Sequence, residues 1–467
     1  MSGRLTHRDV VWGYFAQLMN LAGGILLLPL LVLHLSPEEV GLWFVFLTIV
    51  SMAQLIELGL QPTLARSAAY VYSGVDELHS EGLRTAIAGS TVNMALLSRL
   101  VHAGRQAYRV AGVAVALLLF VVGGSYVAHL QAVNPASIHE ALPAWLTYAG
   151  GFVISAYFGY YNAFILGRGD IVQNNKVVVA TKGSFVIFGA SAVMLGFGLP
   201  GLGAASVLSC VTSRVLARYY YLSGSHSGDS GHAPKSAGPS LLGALWPNAW
   251  KLSVVQLGAF LIVRANTLVA STFMGLALVA SYGLTVQLLL VLSGIASLLV
   301  SLQLPRMNAA QVRDDRAQLQ RAFGLAVVSS WLLFAIGTVI LAWLGNAALE
   351  MTGKNIRLLD AGVLSALIGI AFLEMNHSIA AMYLTTLNRV PFASAAVLSG
   401  IAIVGLSSLL CGWLGMGVWG LVLAQGMVQL GYNNWKWPVE ALKNLQIGPS
   451  RLLRLGFVEL GHTIRGR

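Results

Sequence analysis

Along this chain apolar residues come in runs of about 20, the length that carries an α-helix across the hydrocarbon core of a bilayer. The runs predict spans near 10–33, 39–63, 107–130, 142–166, 177–198 and 200–222, and then near 247–272, 275–303, 322–345, 358–386, 392–412 and 414–436. That makes about twelve, in two sets of six. The first run follows Arg4 and Arg8 and extends from about Val10 to Leu35. It is longer than the roughly 7 to 15 residues of a signal-peptide core and has no small-residue cleavage pattern, so it is expected to remain as the first span.

Composition agrees with this pattern. Of 467 residues 57% are hydrophobic and only 10% charged, against roughly 25% charged in soluble domains, too few for a water-solvated surface. The fold class expected is an all-α integral membrane protein. A net charge of +11 would suggest nucleic acid in a soluble chain, but the basic residues sit between the apolar runs, as topology signals do. Of the 28 Lys and Arg, 25 fall on one side of the twelve-span arrangement; Lys354 and Arg357 fall on the other, and Arg264 lies within a span. Both termini are therefore expected to be cytoplasmic, and no nucleic-acid partner is expected. Cys210 and Cys411 lie inside apolar stretches, so neither a disulfide framework nor a metal cluster is legible. Walker A, zinc-ligand and nucleophile-elbow patterns are missing from the sequence. No cofactor, metal or catalytic residue is expected, and energy must come from an ion gradient, the substrate gradient or a partner.

The stretch 223–240, SGSHSGDSGHAPKSAGPS, has almost nothing to bury and reads as a cytoplasmic linker. Its His226 and His232 are expected to be solvated rather than to bind metal. The chain thus divides into a first bundle (1–222), a linker (223–246), a second bundle (247–436) and a tail (437–467). The bundles resemble each other where their first two spans meet. SPEEVGLW carries Gly41 with Pro62 at the end of the next span, and LALVASYGL carries Gly283 with Pro305 similarly placed. Six spans per half makes such a repeat parallel. Two segments are amphipathic, 80–105 and the tail from Ser450. Each reads either as a helix at the headgroup level or as one docked on the cytoplasmic ends of spans.

Charges within spans are the functional clues, because each costs roughly 2.5–3.5 kcal/mol at the bilayer centre and so should face protein or water. Arg264 lies deep in the seventh span, and Glu374 near the middle of the tenth with His377 one turn on. They read as an anion-binding arginine with an ion-coupling pair, or alternatively as an Arg264–Glu374 ion pair locking two helices. Five more residues join the substrate cavity on the functional reading. Glu57 otherwise snorkels to water. Gln17 and Asn20, on one stripe with Gly13 and Gly24, otherwise glue helices together. Lys182 and Arg214 otherwise anchor topology. Tyr157, Phe158, Tyr160, Tyr161 and Phe164 of the fourth span, like Tyr219 to Tyr221, read as a headgroup belt in preference to a sugar-stacking surface.

The opening of the chain resembles the polysaccharide transporter family, the Wzx-type O-antigen flippases of the multidrug/oligosaccharidyl-lipid/polysaccharide exporter superfamily. The likeness is carried by LLLPLLVLHLSPEEVGLW (Leu26 to Trp43) and QLIELGLQPTLAR (Gln54 to Arg66), with Glu57, Leu58, Gly59 and Arg66 in the family's acidic-Leu-Gly and Arg places. It is sharp over about residues 10–70; elsewhere it rests on span count, loop sizes and the LGRGD loop. The stretch between spans two and three looks longer than the family's usual. The resemblance implies two six-helix bundles around a central cavity that opens alternately to each side of a bacterial inner membrane. It implies a lipid-linked oligosaccharide, on undecaprenyl diphosphate, as the substrate flipped to the outer leaflet. Membrane lipids, a polysaccharide polymerase and chain-length machinery would be partners. A drug/cation antiporter or lipid II flippase of the same superfamily is one alternative, and a polysaccharide polymerase or ligase, with its sizeable external loop, is another.

Overall fold

A computed structural model of the chain describes residues 7–75, 77, 92–224, 241–387 and 391–464. Most of the linker 223–246, with His226 and His232, and the whole of the stretch 80–91 lie outside the described residues. Among the described residues every regular element is helical. Eight helices are long and apolar enough to cross a membrane, or nine if one bent pair counts as a single span.

The chain divides into two compact units, one of Met1–Glu39 and Phe46–Leu257, the other of Val40–Val45 and Gly258–Arg467. The first unit holds α1 (His7–His34), most of α2 (Pro37–Tyr72), α3 (Met94–Ala116), α4 (Gly124–Val133), α5 (Ala141–Tyr157), α6 (Tyr160–Gly167), α7 (Ile171–Met194), α8 (Gly198–Ser223) and the start of α9 (Leu242–Val263). The SPEE signal explains how α2 begins. The Ser36 hydroxyl accepts from Glu39 N at 3.2 Å, the Glu39 carboxylate accepts from Ser36 N at 2.8 Å, and Pro37 occupies a first-turn position where no N–H is needed. The helix does not stop at Pro62 as expected but continues to Tyr72.

The third span is also longer than 107–130. Through a π-helical stretch at Leu117–Gly123, α3 continues into α4 as one 40-residue helix, Met94–Val133. The described part of the amphipathic segment 80–105 is therefore the start of a span, not a separate surface helix. At the π turn the Leu119 carbonyl accepts from Gly124 N and also from the buried Trp145 indole, which donates to it at 3.0 Å. Gly123 lets that ring approach, since a Cβ there would lie 2.5 Å from it. Tyr160, Tyr161, Phe164 and Tyr221 form neither a belt nor a stacking surface. They are buried with Leu97, Leu100 and Tyr108 in the core of this unit.

The LGRGD loop fixes the end of α8. Arg168 pairs with Asp170 at 2.5 Å and donates to the carbonyls of Tyr220 (2.8 Å) and Tyr221 (3.1 Å), acceptors that a helix C-terminus leaves unsatisfied. Gly169, at φ +88°, makes the turn that returns Arg168 to them.

The second unit holds the rest of α9, α10 (Asn266–Phe273), α11 (Leu276–Ala296), α12 (Leu298–Val312), α13 (Arg316–Glu350), α14 (Ala361–Thr385), α15 (Ala393–Gly412), α16 (Val418–Gly431), α17 (Asn433–Leu445) and α18 (Pro449–Ile464). Its core gathers Phe323, Phe334, Tyr383 and Trp437. Here the two repeat glycines acquire a physical reason. Gly41, in the α2 segment belonging to this unit, faces the Leu276 carbonyl so closely that no Cβ fits, and a Cβ on Gly283 would lie 2.5 Å from the Phe44 ring. The amphipathic tail becomes α17 and α18, and α18 docks on α13 where Gly324 and Gly456 bring the backbones together.

Two expected spans of this half differ. The seventh is broken into α9 and α10, and the twelfth is the 14-residue α16, shorter than the roughly 20 residues a full crossing takes.

Candidate functional site

The described charges cluster in two places, one in each unit. In the first, α2 carries Glu57 past the bend between α5 and α6, a 41° change of direction at Phe158 and Gly159. Gly159 sits where a Cβ would lie 2.7 Å from Glu57 Oε1 and 2.5 Å from the Tyr108 ring, so the bend holds the carboxyl and the phenol side by side. Arg214 of α8 lies within Coulombic reach of both. It forms no ion pair with Glu57: Nη2 donates to Ser213 Oγ at 3.3 Å, while Nε and Nη1 are buried without a hydrogen-bond partner. The Tyr108 hydroxyl is likewise buried and unpartnered. Cys210, one turn before Arg214, lies within Coulombic reach of Glu57, Arg214 and Lys182.

Of the sequence-derived cavity residues, Glu57, Lys182 and Arg214 are thus gathered around Cys210, and Tyr108 joins them although nothing in the sequence singled it out. Lys182 is exposed, with its stem against Gly23 of α1. Gln17 and Asn20 lie apart from this cluster's contacts, on an exposed face of α1. The same helix packs on α7, where Gly13 approaches Asn175.

In the second unit Arg264 occupies the break between α9 and α10. The Phe260 carbonyl accepts from both Arg264 N (2.8 Å) and Ala265 N (3.2 Å), and the helix restarts with Arg264 O accepting from Thr267 N at 3.0 Å. The guanidinium finds an amide: Nη1 donates to Gln287 Oε1 at 3.1 Å. Among the described residues no ion pair joins it to Glu374, so the helix-locking pair is not formed. Glu374 is also held by an amide, accepting from Gln425 Nε2 at 2.7 Å.

From that carboxyl a chain of neutral polar groups runs through the unit. Asn266 Nδ2 reaches Gln425 Oε1 at 3.5 Å, and Ser407 donates to Asn266 Oδ1 at 2.9 Å. Asn433 donates to Gln429 (2.7 Å) and Ser399 (2.9 Å), and accepts from the Trp437 indole at 3.0 Å. Gln429 stands beside Glu374 with its Nε2 buried and outside hydrogen-bonding geometry. His377 stands beside Asn434; its Nδ1 and both polar ends of the Asn434 amide are buried without partners. Buried polar atoms left open in this way cost free energy unless water or a ligand fills them. No group of three or more His, Cys, Asp or Glu suited to a metal ion occurs among the described residues.

No protein-family model and no curated protein matches the sequence. Solved structures do match across nearly the whole chain. One is an inward-facing multidrug resistance MATE family transporter of the MOP superfamily, at TM-score 0.64 and 14% identity, covering 94% of this chain and 95% of that one. Another is the lipid II flippase MurJ in an inward closed conformation, at TM-score 0.61 and 13% identity, covering 97% and 90%. A third, the MATE multidrug transporter DinF-BH, solved as a complex, matches at TM-score 0.61 and 12% identity, covering 96% and 97%. At these identities the likeness is one of fold: the chain has the all-helical architecture shared by MATE transporters and the MurJ flippase.

Proposed function

We propose that this protein is a flippase that moves an undecaprenyl-diphosphate-linked oligosaccharide from the cytoplasmic to the outer leaflet of a bacterial inner membrane by alternating access. One observation carries the reading: two arginines in apolar segments, Arg264 at the break between α9 and α10 and Arg214 in α8, lack a carboxylate ion-pair partner among the described residues and keep donors for an anion. A diphosphate presents the oxygens such donors suit. Glu374 and His377 would then serve ion coupling, with Glu57, Lys182, Gln17 and Asn20 lining the path. The fold shared with a lipid II flippase supports the class of work, and on this reading no covalent bond of the substrate changes. Twelve spans with both termini cytoplasmic, and polymerase and chain-length partners, belong to the same proposal.

Purified protein in liposomes should render a labelled diphosphate-linked oligosaccharide accessible to an impermeant probe on the opposite face, its mass unchanged. A lengthened or transferred sugar would replace this reading with a polymerase or ligase. Transport of an organic cation in place of the lipid-linked sugar would replace it with a drug antiporter.

A further inference from the structure

Within the second unit, α13 fixes the depth at which the last helix, α18, meets the bilayer. Between Arg321 and Glu350 it carries no charged residue over 28 positions, Ala322 to Leu349, about 42 Å of helix at 1.5 Å per residue. That matches the roughly 40–45 Å of a bilayer with its headgroup layers, of which hydrocarbon takes about 30 Å and each headgroup layer about 6 Å. Gly324 lies two residues inside this run, about 3 Å from its charged end. There α18 docks: Gly456 meets the Gly324 carbonyl so closely that no Cβ fits, Leu452 is buried, and Glu459 reaches Arg321 at 3.7 Å. α18 is therefore pressed against a span at headgroup level.

The face of α18 turned away from α13 mixes cations with hydrocarbon. Phe457 is 56% and Val458 46% exposed, and Arg451 and Arg454, one and two turns before them on the same face, are exposed as well. Neither arginine has an ion-pair partner among the described residues. The two carboxylates of α17 and α18 are already taken, Glu440 by Lys436 at 3.3 Å and Glu459 by Arg321. Two guanidiniums without a carboxylate favour a lipid of net negative charge over a zwitterionic one. A soluble acidic protein would suit the arginines but not an exposed phenyl ring at the depth of the headgroups, whereas a phospholipid supplies phosphate and hydrocarbon there in one molecule. We propose that the outer face of α18 is a binding site for anionic phospholipid, with Arg451 and Arg454 on headgroup phosphates and Phe457 and Val458 among the upper acyl carbons. The site stands whatever cargo the protein carries, so a failure of the flippase reading leaves it untouched.

The test reads lipid contact at one residue. Full-length Phe457→Cys, carrying a bimane whose ring stands in for the phenyl, is reconstituted in vesicles where dibrominated phosphatidylglycerol or dibrominated phosphatidylcholine replaces the unbrominated lipid stepwise. Cys210 and Cys411 are buried, and wild-type protein taken through the labelling is the blank. Bromines on the acyl chains are expected to quench the label, with phosphatidylglycerol preferred at the site. At about fivefold per basic residue beside an anionic surface, the preference should be roughly 25-fold; Arg451→Gln should lower it about fivefold, and Arg451→Gln with Arg454→Gln should abolish it. Both arginines are exposed and bond to no described residue, so monodispersity and unfolding temperature should not change. A label that bromine spares and aqueous iodide quenches would place α18 in water, and one shielded from both would place protein on its outer face. Equal quenching by the two lipids, or a preference that the arginine variants leave unchanged, would remove the anionic lipid. Each of these results overturns the assignment.

Discussion

Arg264→Ala is the perturbation whose size follows most directly from the structure. A guanidinium carries five N–H donors, and the bond to Gln287 Oε1 engages one of them, with no carboxylate in Coulombic reach among the described residues. If two of the others bind a phosphate, at roughly 1.5 kcal/mol per charge-assisted bond, their loss is about 3 kcal/mol, or roughly a hundredfold in affinity. Stability should change little, because the substitution also removes a charge from an apolar span. Arg264→Lys keeps the charge and loses the two-pronged geometry, so it should recover about tenfold of that affinity. The assay is binding and flipping of a fluorescent diphosphate-linked sugar in liposomes, alongside thermal unfolding in detergent. Wild-type flipping by Arg264→Ala would refute the role. So would an unfolded Arg264→Ala that Glu374→Ala restores, since non-additivity of that kind would reveal an ion pair between the two residues.

Four further outcomes are expected. Glu374→Gln should preserve the fold, because an amide can still accept from Gln425, and should make transport insensitive to an imposed proton gradient if Glu374 is the coupling group. Gly41→Leu has no room beside the Leu276 carbonyl and should destabilise the protein by about 1–3 kcal/mol, read as a lower unfolding temperature. Arg168→Ala strips α8 of its carbonyl partners and Asp170 of its ion pair; about 1.5–3 kcal/mol of stability should be lost, with flipping by the folded fraction unchanged. A reporter fused within 223–240, or after Arg467, should behave as cytoplasmic, and periplasmic activity at either place would sink the twelve-span topology.

The membrane class and the helical architecture were legible because a bilayer imposes one length on every apolar run. Local geometry was legible only where a backbone need is met by particular side chains. The SPEE start of α2 is such a case, since a capping box requires a hydroxyl and a carboxylate three residues apart. Helix ends were less legible. Pro62 and Pro305 read as terminators, yet α2 and α12 run through them; the cost of a proline is local, and packing on both sides can carry a helix past it. Arg264 was found as a charge, but the helix break that presents it depends on tertiary packing, where Gly258 and Gly400 bring α9 against α15. The amide network was missed because the search for functional residues within spans followed formal charge, which Asn and Gln lack. Its signal was present all the same: Gln425, Gln429, Asn433 and Trp437 recur at every fourth position. Cys210 lies one turn from Arg214 on the same helix, but only the fold brings this pair and Tyr108 to Glu57.

The way these charges are partnered bears on mechanism. Had Arg264 and Glu374 been paired with each other, breaking the pair would leave two uncompensated buried charges and cost several kcal/mol, which suits a lock. Each is held instead by a glutamine, Arg264 by Gln287 and Glu374 by Gln425. A neutral amide satisfies part of a charge's hydrogen-bonding capacity and leaves the charge uncancelled, so an arriving phosphate or cation meets its full field while the side chain is already oriented. Glutamine can also serve either protonation state of a carboxyl, donating to the carboxylate through nitrogen or accepting from the acid through oxygen. The open polar atoms of Gln429, Asn434 and His377 extend this further: the His377 ring nitrogen can take up a proton, and the amides can take a water or a reoriented neighbour, without an ion pair breaking first. A set of amide-held charges of this kind is suited to exchanging partners over a transport cycle, whereas a set of ion pairs would be suited to holding one state.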